Sequence, residues 1–219
     1  MTAPARRTPS RGVTLLELLA VLVIFVMLAV LVMPGLQGLV GSSNLKASAN
    51  LLLDELDLAR QTADARNLPV DVRLYQDRAI SPDGNGNSPY RLLALVIPSS
   101  ASSTGSDEFL MAPRGLPGDV IVDSGLAYSS LLNTGLGAAG LRPTAGTELV
   151  SAPATVRNLP YVEFTFLANG TVDLDTSQQW CLTLINENKA LKNPTGAPAA
   201  NFVTLIVDPQ TSHARMYQP

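Results

Sequence analysis

Between Val13 and Met33 the chain runs through 21 residues of which Glu17 alone is ionisable. At 1.5 Å per residue a helix of that length is roughly 30 Å long, about the hydrocarbon thickness of a bilayer. A carboxylate at the head of such a span costs on the order of 2–3 kcal/mol, less near the interface, so its presence asks for a reason. The next stretch, Pro34-Gly35-Leu36-Gln37-Gly38-Leu39-Val40-Gly41, weakens the helix. Pro34 lacks a donor and predicts a kink, and each interior glycine costs about 1 kcal/mol relative to alanine. Helical spacing then resumes, with Leu45, Ala49, Leu52, Leu56, Ala59 and Ala63 on one face. Asp54, Glu55, Asp57, Arg60 and Asp64 fall mostly away from that face. Leu68-Pro69 ends the run, which predicts one long, interrupted helix from Val13 to about Asn67.

Beyond Pro69 the period changes to two. Val70, Val72 and Leu74 alternate with Asp71, Arg73 and Tyr75, the pattern of a half-buried strand. Tyr90 to Ile97 reads as a second, more apolar strand, and Leu116 to Val122 as a turn entering a strand. Pro98 to Glu108 is a Ser-rich loop, and 124–160 is rich in Gly, Ala, Ser, Thr and Pro with little pattern, so it is expected to be irregular. Tyr161–Leu167 and Thr171–Leu174 flank Ala168-Asn169-Gly170, a hairpin signal. Gln179–Ile185, Phe202–Val207 and Ala214–Tyr217 supply three more strands. The fold class is therefore α+β, a long N-terminal helix packed on an antiparallel β-sheet head.

Composition narrows the chemistry. Net charge is −3 with 15% charged residues, so no basic patch argues for nucleic acid. The single cysteine, Cys181, excludes an intramolecular disulfide and sits in an apolar run where a small buried hydrophobe is the plain reading. The single histidine, His213, follows Asp208-Pro209 in a C-terminal turn, so neither a catalytic triad nor a histidine metal cluster can be assembled. Asp83, Asn85 and Asn87 recur at every second residue, as calcium ligands do, but Ser88 and Ala94 stand where an EF-hand loop needs Gly and Glu, and no metal site is expected. Gly135-Leu136-Gly137-Ala138-Ala139-Gly140 matches a dinucleotide fingerprint by letter only, since Leu141-Arg142-Pro143 breaks the helix that would hold a pyrophosphate. No cofactor and no enzyme activity are expected.

The residues before the apolar run carry the most specific signal. Arg6, Arg7 and Arg11 precede it with no acidic residue in the first twelve, which holds the N-terminus in the cytoplasm. A secretory signal peptide has a shorter apolar core and an A-x-A-like site, and a plain signal anchor explains neither Gly12 nor Glu17. The stretch Arg11-Gly12-Val13-Thr14-Leu15-Leu16-Glu17 resembles the class III signal of type IV prepilins and pseudopilins. In that family a dedicated peptidase cuts after the Gly and methylates the new amine. The resemblance implies cleavage between Gly12 and Val13, N-methylation of Val13, and a role in assembly for Glu17. The family usually begins its mature chain with Phe, where Val13 stands here. A proline at the place of Pro34 also resembles pilins. Many major pilins close a C-terminal loop with a disulfide, which this chain cannot.

The element order resembles the H-type minor pseudopilins of type II secretion and the fimbrial T-type minor pilins. Leu58-Ala59-Arg60-Gln61-Thr62-Ala63, Val70-Asp71-Val72-Arg73-Leu74-Tyr75 and Tyr90-Arg91 are similar to the Verru_Chthon cassette protein D group of pilin-like proteins. These resemblances imply a leader over 1–12, a transmembrane helix over 13–33, the periplasmic half of the helix over 34–68 and a β-rich head over 69–219. They imply a minor pilin or pseudopilin of a type II secretion or type IV pilus-like filament, single-pass in the inner membrane, its head periplasmic or in a surface filament. The implied partners are other pilin or pseudopilin subunits, a prepilin peptidase/methyltransferase, an inner-membrane assembly platform and membrane lipid. A membrane-anchored periplasmic binding domain that does not polymerise is the alternative.

Overall fold

The computed structural model describes residues 14–77, 88–152, 155–187 and 201–218, with the side chains of 30–40 and 151–156 outside the description. Helix α1 spans Leu15–Arg66, 52 residues. The interruption expected over Pro34–Gly41 is not a break, because the helix continues through those residues. A lone proline removes one backbone bond while residues on either side keep theirs, and long apolar side chains on both flanks favour helix. The chain divides between Val40 and Gly41 into two compact units. The first is helical from Leu15 on.

In the second unit, Leu45, Ala49, Leu52, Leu56, Ala59 and Ala63 are all buried, so the face read from spacing is the face that packs. The three alanines let the helix approach the sheet closely, and each leucine contributes about 1.5–3 kcal/mol by leaving water. The helix ends in a Schellman arrangement. Asn67 adopts a left-handed φ of 53°, its N–H donates to the Asp64 carbonyl (3.4 Å), and the Leu68 N–H donates to the Ala63 carbonyl (3.3 Å).

The sheet holds ten strands among the described residues: β1 Val70–Gln76, β2 Tyr90–Ile97, β3 Glu108–Phe109, β4 Arg114–Gly115, β5 Val120–Val122, β6 Thr144–Ala152, β7 Thr155–Phe166, β8 Trp180–Asn186, β9 Phe202–Val207 and β10 Ala214–Tyr217. Its order is β10-β9-β8-β5-β2-β1-β7-β6, with β3 and β4 also on β2, and every neighbouring pair is antiparallel. The helix covers one face, where Val72, Leu93, Phe164, Trp180, Leu182 and Leu205 join the helical stripe in the main core.

Three expectations change. The weakly patterned 124–160 stretch contains most of a long hairpin, because β6 and the start of β7 fall inside it. An edge strand needs few apolar residues, and Thr147 pairs with Pro160, whose missing donor does not disturb the ladder. The Asn169-Gly170 turn forms, with Gly170 at φ 80°, but its second arm is a single bridge between Phe166 and Val172 rather than a strand. The Val172 N–H turns instead to the Pro209 carbonyl (2.9 Å). Strand β1 is buried on both faces, not one. Asp71, Arg73 and Tyr75 lie opposite the helix-facing residues and are still buried, beside a second apolar cluster of Tyr75, Ala94, Val96, Val150 and Leu159.

Candidate functional site

The N-terminal residues divide at Thr14. Gly12 and Val13, the expected cleavage pair, lie outside the described residues. Thr14 and Glu17 form a reciprocal helix cap. The Thr14 N–H donates to Glu17 Oε2 (2.9 Å), its hydroxyl donates to the same oxygen (3.1 Å), and the Glu17 N–H donates back to Thr14 Oγ1 (3.3 Å). The Leu18 N–H to Thr14 carbonyl bond (3.2 Å) opens the helix. This is a capping box, Thr-x-x-Glu before an apolar run, and it satisfies donors that a helix start would otherwise leave bare. The pattern was readable in the sequence, and Thr14 is the residue that sequence reasoning passed over.

Apart from Glu17, the helix is apolar on every side from Leu15 to Leu28. Its large hydrophobic residues are 44–82% exposed, from Val23 to Leu15. A helix greasy all round is a buried or membrane-inserted element. Among the described residues no helix is long and apolar enough to cross a membrane. The expected span over 13–33 includes Val13 and the side chains of 30–33, which lie outside the description, as does the side chain of Pro34.

The sheet face opposite the helix holds a buried polar hub. Arg73 Nε donates to Glu163 Oε2 (2.8 Å), and its Nη1 donates to Glu148 Oε2 (3.0 Å) and pairs with Asp107 Oδ2 (2.7 Å). Its Nη2 lies 3.5 Å from Asp71 Oδ2, and the guanidinium carbon sits 4.8 Å over the Tyr161 ring. The Tyr75 hydroxyl donates to Glu148 Oε2 (2.7 Å), Thr165 to Asp71 Oδ1 (2.9 Å) and Thr144 to Glu163 Oε1 (3.1 Å). One guanidinium therefore ties β1, β6, β7 and the loop before β3 together. A planar fork with several donors is suited to this and an ammonium is not.

The charges follow the geometry. Burial, then Glu163, pushes the Asp71 carboxyl up to about 6. Burial works against Asp107 too, but bonds from Arg73 and the Ser99 N–H hold its carboxyl below the usual range. Burial disfavours the charge on Arg73, and bonds to Glu163 and Asp107 more than restore it. On the other face, Glu55 was expected to turn away from the core and is instead buried on α1. Burial raises its carboxyl despite Arg114 at 3.6 Å, and its Oε2 has no hydrogen-bond partner among the described residues. Helical spacing alone could not show that the 98–118 chain would fold over that side.

The remaining candidates sit apart from this hub. The calcium-like loop over 81–87 lies outside the described residues, and among those described no group of His, Cys, Asp and Glu is placed to hold a metal. The Gly135–Gly140 stretch is a series of turns, with Gly137 and Gly140 at φ 93° and 81° and the Ala138 N–H donating to Asp175 (3.0 Å). Cys181 is partly exposed with Sγ 3.3 Å from the Tyr128 carbonyl, and His213 is exposed.

Comparison with known proteins gives two findings. Residues 7–33 match the family described as Prokaryotic N-terminal methylation motif, so the chain carries the leader signature read from Arg11–Glu17. No curated protein is similar enough to count as a match. Among solved structures, the type IV minor pilin FimU of Pseudomonas aeruginosa (strain PAO1) is similar at 13% identity and a TM-score of 0.42, over 81% of this chain and 93% of that one.

Proposed function

We propose that this chain is a minor pilin or pseudopilin, a structural subunit made as a prepilin and built into a type II secretion or type IV pilus-like filament. The observation that carries the proposal is the methylation motif over residues 7–33, which encloses Gly12, Val13 and Glu17. In this reading a prepilin peptidase cuts after Gly12 and methylates Val13. The apolar helix holds the subunit in the inner membrane with the arginine-rich end cytoplasmic, and an assembly platform extracts it. Pro34 and the glycines after it mark the place where the helix bends or loosens. The second unit is the head, and its work is contact rather than catalysis.

The reading is tested by the N-terminal residue and intact mass of the protein taken from membranes of cells with an active prepilin peptidase. The expected result is a chain beginning at methylated Val13, with Gly12→Leu left uncut. Retention of Met1 in the wild-type protein overturns the proposal.

A further inference from the structure

The sheet ends in two open strands, β6 and β10. Seven antiparallel steps separate them along the sheet order, an odd number, so β6 and β10 run in opposite directions within one molecule. Two copies held in the same orientation can therefore lay β10 of one beside β6 of the other as an antiparallel pair. A β6–β6 pair about a two-fold axis would instead reverse one copy against the other. Shared orientation is what one membrane or one filament imposes, and in that respect the inference rests on the function proposed above.

The backbone of each edge faces the right way. On β7, the Thr165 N–H donates to Asp173 Oδ1 (2.6 Å) and its carbonyl accepts from the Asp173 N–H (3.0 Å), on the side of β7 away from β1. By alternation Glu163, Tyr161 and Leu159 also turn to that side, where β6 lies, so their partners Thr144, Gly146 and Glu148 use their backbone groups on β7. Ala145, Thr147 and Leu149 are left with N–H and C=O pointing off the edge. On β10, the Asp208 N–H donates to the His213 carbonyl (3.0 Å), which turns His213 toward β9 and leaves Ala214 and Met216 pointing outward. Among the described residues no strand pairs with either edge.

The side chains match as well. Ala145, Thr147 and Leu149 share the helix-covered face of the sheet with Val162, and Ala214 packs on the same core, so Met216 lies on that face too. Leu149 is 70% exposed and Met216 42%. On the opposite face β6 carries Glu148, whose Oε2 is held by Arg73 and Tyr75, and β10 carries Arg215 and Tyr217. We propose that β10 of a second, co-oriented copy adds to β6, with Thr147 opposite Met216, Leu149 opposite Ala214, Glu148 opposite Arg215 and Gly146 opposite Tyr217. In that register the two hydrogen-bonded pairs fall on the four residues whose backbones point outward. Leucine covers alanine, and arginine meets glutamate. Strand β6 has neither the lysine nor the proline with which natural edges discourage such pairing.

The test is disulfide formation in native membranes between two full-length variants, each in a Cys181→Ser background. A hydrogen-bonded pair places Cα atoms about 5.5 Å apart, within disulfide reach. Thr147→Cys with Met216→Cys, and independently Leu149→Cys with Ala214→Cys, are expected to cross-link at least about five-fold more than Thr147→Cys with itself or Leu149→Cys with Met216→Cys. Arg215→Glu is expected to lower both yields several-fold. Failure of both in-register pairs, or a dominant product from Thr147→Cys alone, overturns the pairing. The same samples report the N-terminal residue: Val13 with no cross-link removes this interface and leaves the filament reading standing, whereas Met1 removes the filament reading.

Discussion

Replacing Arg73 with methionine is the most severe test of how the head holds together. The side chain is 5% exposed and reaches three carboxylates within 3.0 Å, those of Glu163, Glu148 and Asp107, with Asp71 at 3.5 Å. Methionine fills much of the same space, so packing is largely kept and the loss is electrostatic. Breaking a buried ion pair by removing one partner costs about 3–5 kcal/mol, because the other charge stays behind in a poor solvent. Here the carboxylates left behind also repel one another, so the upper end of that range applies at pH 7. Against a total stability of about 5–15 kcal/mol, this takes the head close to unfolding. Arg73→Lys keeps a charge but not the fork, and about 1–3 kcal/mol should be lost with the unmet hydrogen bonds.

Trp180 is the chain's single tryptophan and is fully buried, so its fluorescence follows unfolding of the head in urea, on the full chain in detergent. A second measurement separates charge from packing. Without the guanidinium the abandoned carboxylates take up protons more readily, so the native state gains protons as pH falls and the deficit of Arg73→Met shrinks toward pH 4.5. A loss below about 1 kcal/mol at pH 7, or a deficit equal at pH 7 and pH 4.5, would refute the reasoning.

Three further outcomes follow from the same contacts. Asp71 sits near 6 in the fold against an ordinary 3.8, so the native state binds the extra proton between those values, and its contribution is present below about pH 4 and lost as pH rises through 6. The stability of Asp71→Asn relative to wild type should therefore rise by about 2 kcal/mol from pH 4 to pH 7, and a flat difference in urea titrations would count against it. Glu17→Gln keeps an acceptor for the Thr14 cap but removes the charge, and Glu17→Leu removes both. Both should insert and be cleaved, and both should be depleted from sheared filament fractions; normal incorporation of Glu17→Gln would leave Glu17 as a capping residue only. In an assembled filament, amide exchange over Pro34–Gly41 should be faster than over Leu51–Ala63, and equal protection would argue against loosening there.

The helix, the two central strands and the C-terminal strands were legible because their patterns are local. Spacing of three and four residues placed Leu45, Ala49, Leu52, Leu56, Ala59 and Ala63 on the buried face, and alternation placed Val70, Val72 and Leu74 against it. What could not be read depends on distant chain. Asp71, Arg73 and Tyr75 alternate as a solvent face would, and only the long β6–β7 hairpin and the loop carrying Asp107 turn that face into an interior. The hairpin itself escaped notice because β6 is an edge strand of mostly small residues, in which Leu149 is exposed, Val150 buried and Glu148 half-buried. Glu55 follows the same logic, since its burial depends on Arg114 and the chain around it.

On the proposed function Glu17 has two tasks for one carboxylate, the helix cap it forms with Thr14 and a role in assembly. In lipid an unpaired carboxylate is costly, and the Thr14 N–H and hydroxyl already meet one of its oxygens within the same helix. Removal of the leader does not disturb that cap, because Thr14 keeps its amide N–H when Val13 becomes the new amine. The cap engages Oε2 and leaves the second carboxylate oxygen to other partners. A neighbouring subunit displaced along its axis can present its own Val13 amine to that oxygen directly, and opposite charges attract strongly where water is absent. The cap then fixes the direction in which the carboxylate points before any partner arrives. On the proposed function, a preset acceptor on an otherwise featureless apolar helix defines one register among many, and capping and assembly become successive uses of the same side chain.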